Sequence, residues 1–243
     1  MAFIHGKGTA VLVGAFDLTA YFNDATTSAE VSADETTSFG LNDKTYIAGL
    51  GDGKISAAGM FDTTATVGAD VVLAAALGSS APSNVLIAHA GLAVGNRCSV
   101  AAGLETNYEI SEKVSEVAAV KADFQGTGGM DAGVVLAAAK SVATATTTNE
   151  ASVDNAASSA NGGTGWLHVT TNGTSSTTIV KVQHSANDST WADLVTFATV
   201  ATTVTKAERV LVAEGTTVNR YVRAISTTAG TGAVVYTVAF ARR

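Results

Sequence analysis

Residues 35–54, ETTSFGLNDKTYIAGLGDGK, lie between two segments that alternate like β-strands. The stretch is too long for a tight hairpin turn. It carries Phe39, Leu41, Tyr46, Ile47 and Leu50, which a solvated loop does not ordinarily display. A connector with that much apolar surface must bury it on its own domain or on another molecule.

On its N-terminal side, Ser28, Glu30, Ser32, Asp34 and Thr36 share one face, and Ala29, Val31 and Ala33 the other. This regular alternation predicts a strand with one wet face. On its C-terminal side, Ile55, Ala57 and Phe61 oppose Lys54, Ser56 and Asp62. Next, TTATVGADVVLAAALGSS at 63–80 predicts the one helix, with a stripe of Val67, Val71, Leu73, Ala74 and Leu77 and a stop at Gly78. Segments 84–90, 97–104, 106–114, 116–125 and 132–142 read as strands, and GTGG at 126–129 as a turn. DVVLAAAL at 70–77 recurs almost unchanged as GVVLAAAK at 133–140. The flanks make the first a helix and the second a strand.

Residues 141–165, SVATATTTNEASVDNAASSANGGTG, hold no bulky side chain. They read as a strand end followed by a flexible linker. The expected organisation is a domain at 1–145, a linker at 146–164 and a second domain at 165–243. Beyond the linker, six short Val/Thr/Tyr-rich segments suggest a β-sandwich. Trp166, Trp191, Phe197, Tyr221 and Tyr236 are the expected core of that C-terminal domain. The fold class is therefore mainly β: an N-terminal sandwich or barrel-forming domain with one flanking helix, then a C-terminal sandwich.

Charge divides along the same line. Residues 1–145 hold fifteen acids and seven bases, whereas 161–243 hold four acids and seven bases. The acidic half argues against sequence-reading DNA binding, which rests on neutralising phosphates. The single cysteine, Cys98, excludes an internal disulfide and reads as a small buried hydrophobe. No stretch approaches the ~20 apolar residues that span a bilayer. The opening MAFIHGKGTAVLVGAFDL lacks a signal peptide's apolar run and cleavage site. The expectation is a protein used without crossing a membrane.

Catalytic and metal-binding patterns do not emerge. His5, His89, His168 and His184 stand at no metal-ligand spacing, and His89 sits in the apolar run VLIAHAGL. GLGDGK departs from a phosphate loop, because Ile55 follows Lys54 where Ser or Thr is needed. Glu105, Glu109, Glu112 and Glu116 read as a solvated strand face or a shared acidic surface. Neither an enzyme nor a cofactor is expected.

VSADETTSFGLNDKTYIAGLGDGKISAAGMFD at 31–62 resembles the hairpin region of major tail tube proteins of long-tailed bacteriophages. The matching positions are Thr36, Thr37, Phe39, Gly40, Tyr46, Gly49, Leu50, Phe61 and Asp62. AFIHGKGTAVLVGAFDLTAYFN and YEISEKVSEVAAVKADFQGTGG fit the family's opening strand and later strand pair, so the resemblance covers roughly 1–142. The segments VKVQHSANDSTWADLVTF and VNRYVRA are similar to C-terminal β-domains attached to such proteins. The resemblance implies hexameric rings, each closing a β-barrel around a lumen and stacking into a tube that DNA passes through without sticking. It implies that Phe39, Leu41, Tyr46, Ile47 and Leu50 bury against adjacent subunits. It also places Glu30, Ser32 and Asp34 on the lumen, with Asp123. The implied partners are further copies of the chain, a tape measure protein, a tail terminator and distal tail proteins. The implied location is the virion tail, after synthesis in the bacterial cytoplasm. Two other roles fit the composition: a capsid or tail-surface decoration protein, and a carbohydrate-binding β-module with Trp166 or Trp191 as a stacking platform.

Overall fold

The computed structural model describes residues 4–64, 66, 68–142, 145–173 and 177–243. The chain is mainly β, as expected. Strands β1 (Ala10–Val13) and β2 (Phe16–Asp17) turn at Gly14, whose φ of 57° suits glycine. Strands β3 (Phe22–Glu35) and β4 (Tyr46–Met60) form a long hairpin, followed by α1 (Ala69–Ala76). Then come β5 (Ser83–Ala88), β6 (Arg97–Ser111), β7 (Ala119–Gly126) and β8 (Asp131–Val142). The rest is β9 (Thr146–Asn149), β10 (Val153–Asp154), β11 (Gly163–Asn172), β12 (Thr178–Ser185), β13 (Ala192–Thr196), β14 (Lys206–Val212), β15 (Tyr221–Thr228) and β16 (Val234–Arg242).

Strand β6 is the spine. One edge of it pairs β5, which continues to β1 and β2. Its other edge pairs β7 and β8 in succession, both antiparallel to it. The GTGG step is therefore not a reversing turn. It is a bulged join within one run, with Gly128 and Gly129 at φ of 83° and 82° and the Thr127 N–H bonded to Ala102 O at 2.7 Å. Past this join the sheet forks. Strand β7 leads to β4 and β3, whereas β8 leads to β16, β11 and β14.

The C-terminal strands thus continue the N-terminal sheet. A second sheet, β9 and β10 on β15, then β12 and β13, faces them. The flexible linker expected at 146–164 is corrected accordingly: Thr146–Thr228 to Asn149–Ile225 and Val153–Val222 are ladder pairs. Its Thr, Asn and Val residues satisfy their backbone groups on β15 instead of in water.

Three apolar clusters hold these layers. The first lies beneath α1 and includes Leu18, Ile55, Leu73, Ile87 and Phe124. The second joins the opposite face of β1, β5 and β6 to β11 and β16, with Trp166 among Leu12, Leu86, Cys98, Val100 and Ala239. The third fills the sandwich between sheets, around Leu167, Val182, Phe197, Tyr236 and Phe240. Trp166, Phe197 and Tyr236 are buried, but Trp166 packs on the N-terminal strands, away from the sandwich. Trp191 and Tyr221 are only partly buried, which corrects their placement in the core. Both face outward, beneath Arg223 and Arg220 respectively.

Helix α1 buries Ala69, Val72 and Leu73, whereas Val71 and Leu77 are exposed, so the expected stripe is displaced by about one residue. Val67 lies outside the described residues. Gly78, at φ 74°, follows the helix end as expected.

Because Trp166 alone fills an otherwise Ala-rich seam, Trp166→Ala is expected to lower stability by about 3–5 kcal/mol. Calorimetry should show one transition, shifted down as a whole. Two transitions with only the later one shifted would mean that the halves fold separately.

Candidate interaction surfaces

The hairpin arm is built from a register that changes twice. Near its base, β3, β4, β7 and β6 align in rows. Thr26, Ser56, Asp123 and Asn107 form one row, and Ala25, Ala57, Ala122 and Tyr108 the next on the opposite face. The apolar face covers the cluster under α1. The outward face carries Asp24, Asp52, Glu109 and Asp123 beside Lys54 and Lys121. Burial works to raise the Asp123 carboxyl. Hydrogen bonds from Ser56, Asn107 and Lys121, with the Lys121 charge, outweigh that and hold it below its ordinary range. Glu30, Ser32 and Asp34 extend the same face along β3, so the fold brings together all four residues expected on one polar surface.

Beyond Gly53 the arm is a two-stranded ribbon, since β4 pairs only β3 there. Half of the expected loop is thus strand. Tyr46 opposes Glu35 and Ile47 opposes Asp34, so the true connector runs from Thr36 to Thr45. Its ends are closed by Thr36 N–H to Thr45 O at 2.8 Å. The period-two reading of β3 holds, but both of its faces are exposed in the arm.

One extra residue sits in β4 between Gly51 and Ala48. Ser32 Oγ accepts from the Leu50 N–H at 3.0 Å and fixes this bulge. A Cβ on Gly49 would meet that same oxygen at 2.1 Å, which explains the glycine. Ser32 therefore shapes the arm as well as facing outward. Period-two alternation on β3 gives no sign of this role, because the bulge lies on β4. Tyr46 and Ile47, successive residues of β4, put apolar side chains on both faces of the arm, and the bulge decides that Ile47 shares the face of Asp34. Leu50 is 87% exposed, Phe39 fully exposed, and Leu41, Tyr46 and Ile47 more than half exposed.

A different bulge overturns the reading of the glutamate cluster. The β6–β7 register shifts between Glu105 and Asn107, so Glu105 stays on the inward face of Ala101, opposite Phe124, while Asn107 and Glu109 turn outward. It is 6% exposed, and neither carboxyl oxygen has a hydrogen-bond partner among the described residues. Burial pushes its pKa up to about 8. Glu109, Glu112 and Glu116 stay exposed, as expected. Nearby, Tyr108 Oη donates to Asp70 in the first turn of α1 and ties helix to sheet.

The histidines are structural in their surroundings. His89 Nε2 and Ser99 Oγ are 2.9 Å apart. His168 Nδ1 is 2.8 Å from Gly14 O, and burial lowers its pKa to about 4. Cys98 is buried, and its thiol is pushed up to about 12. Among the described residues no cluster of three His, Cys, Asp or Glu could hold a metal ion. No helix there is long and apolar enough to cross a membrane. A half-open cleft of about 580 Å³ lies beside the start of β3, lined by His5, Lys7, Thr19, Asn23 and Asp24 among others.

No protein-family model and no curated protein matches the chain. Among solved structures it is similar to a chain in the virion of a native gene transfer agent particle. That alignment has 13% identity over 53% of this chain and 97% of that one, with a TM-score of 0.43. It is also similar to a chain in the tail of an empty gene transfer agent particle solved with C6 symmetry, at 14% identity, the same coverages and a TM-score of 0.43. A chain of infectious bursal disease virus, Gx strain, aligns at 11% identity over 96% of this chain and 54% of that one, with a TM-score of 0.29.

Proposed function

We propose that this chain is a structural virion protein that polymerises as stacked rings into a hollow tail tube for DNA. The observation that carries the reading is the arm. Its five large apolar side chains belong to no core cluster of their own chain, yet its two strands are paired with each other and its bulge is pinned. The exposed apolar side chains and the open strand edges form a surface built to be covered, and further copies of the chain are the proposed cover. The long outer edge of β3 pairs nothing among the described residues. It offers a neighbouring copy a ladder, and closure into a barrel would remove this edge. Head-to-tail docking of the arm then propagates an open filament. The acid-rich outward face, with Glu30, Asp34 and Asp123, would line the lumen and repel passing phosphates.

Negative-stain electron microscopy of the purified protein at rising concentration tests this. Hollow tubes with a regular ring repeat are expected. Glu30→Lys with Asp34→Lys should still form tubes but deliver less DNA from virions. Particles that never order into tubes, even on a purified tail tip complex, would overturn the assembly role. Unchanged DNA delivery would overturn the lumen placement.

A further inference from the structure

We propose that the outer face of the second sheet, around Trp191, binds a neutral saccharide. The loop that delivers this indole is fixed. Asn187 Oδ1 accepts from the N–H groups of Ser189 and Thr190 at 3.1 and 3.0 Å, and from Ser185 Oγ at 3.0 Å. The Arg223 guanidinium lies over the indole, 4.1 Å from its centre. Its Nε and Nη2 both donate to Gln183 Oε1, at 3.1 and 2.8 Å. Gln183 Nε2 donates to Asp193 Oδ1 at 2.8 Å, and Lys181 Nζ to Asp193 Oδ2 at 2.6 Å. Five side chains from β15, β12, β13 and the preceding loop thus hold one another in a line that ends at the partly exposed Trp191, which carries Arg223 on one face of its ring.

Fold stability does not explain this line. Exposed polar networks contribute little, while ordering long side chains costs entropy. The buried faces of β12 and β15 already supply the sandwich core through Val180, Val182, Val222 and Ala224. Sugar recognition does explain it. The C–H face of a pyranose stacks on an indole, and its hydroxyls bond to oriented amide and carboxylate groups beside it. A carboxylate can accept about four hydrogen bonds, and Asp193 accepts two from these side chains. Groups already held in place lose little freedom on binding. Lys181 is ion-paired with Asp193 and Arg220 with Asp154, and Arg223 has the Asp188 charge nearby. That balance favours an uncharged, hydroxyl-rich ligand over an anionic polymer. Trp166 is buried and can present no platform. The proposal is independent of the tail tube reading, since it concerns one sheet face of any single copy.

The test is titration of the full chain with neutral tetrasaccharides of glucose, galactose and N-acetylglucosamine, read by calorimetry and tryptophan fluorescence. At least one should bind saturably, with a Kd of about 0.1–1 mM. Trp191→Ala should weaken it at least tenfold, and Gln183→Ala several-fold, with thermal unfolding unchanged. Trp191→Phe should retain most of the binding. The absence of saturable binding to all three, or binding that Trp191→Ala leaves intact, overturns the site.

Discussion

Replacing Phe39 and Leu50 with serine should leave the subunit folded and stop it assembling. Both side chains project from the arm into solvent. Neither belongs to any of the three apolar clusters. Their loss therefore removes no packing from the single chain, and the melting temperature should move by no more than about 1–2 °C. In an assembly the same side chains would each contribute about 1.5–3 kcal/mol when buried. Five of them give roughly 8–15 kcal/mol per arm, which is comparable to the cost of fixing one subunit on another. Assembly is then poised so that removing two, roughly 3–6 kcal/mol, weakens each contact by about 10²–10⁴-fold. Tubes should be absent at concentrations that assemble the unaltered chain, while circular dichroism stays the same. Serine at Lys7, an exposed position away from the arm, serves as control. If the double variant assembles normally, the arm is not the contact. If it unfolds, the arm packs on its own chain after all.

The sequence disclosed those parts of the fold in which one physical preference dominates. The two copies of VVLAAA show this well. The first has Gly68 before it and Gly78 after it, buries one side and is a helix. The second follows a glycine bulge and lies between β6 and β16, and the same string is a strand with Val135, Leu136 and Ala137 buried. Flanking residues separated the two, as they also separated the strands β5, β7 and β12. What stayed hidden depends on partners distant in sequence. Residues 146–164 have linker composition, yet β15, some seventy residues later, gives their backbone a ladder. No local pattern reports that. Trp191 has the size of a core residue, but it ends the loop before β13 and stacks with Arg223 on the outward face of β15. Bulges were the other blind spot, since one inserted residue reverses every later side chain. The bulge in β4 set Ile47, and not Tyr46, on the face of Asp34. The bulge in β6 parted Glu105, which keeps the inward face of Ala101, from Glu109, which turns outward.

That buried carboxyl should be visible as a fall in stability with rising pH. Glu105 titrates near 4.5 when unfolded and at about 8 in the fold. Below pH 4.5 both states hold the proton. From there to pH 8 the folded state binds more protons than the unfolded one, so stability drops by about 1.4 kcal/mol per pH unit, up to roughly 5 kcal/mol in total. His168 acts in the opposite direction. Its pKa falls from 6.5 to about 4 on burial, so the unfolded state binds the extra proton and stability rises between pH 4 and 6.5. His184 is also lowered by burial and adds to that rise. The two trends nearly cancel from pH 4.5 to 6.5. Above pH 6.5 only the Glu105 trend continues, and stability should fall by about 2 kcal/mol by pH 8. The Cys98 thiol, raised to about 12, changes nothing in this window. Glu105→Gln keeps the shape and removes the proton. It should abolish the fall above pH 6.5 and uncover the histidine-driven rise below it. Urea denaturation of the unassembled arm variant, with and without Glu105→Gln, measures both limbs. Any difference in tolerance between the amide and the protonated acid is constant with pH, so the slopes alone decide. Parallel curves for the two proteins would mean that Glu105 is solvated and ionised in the fold, and that the β6 bulge does not carry it inside.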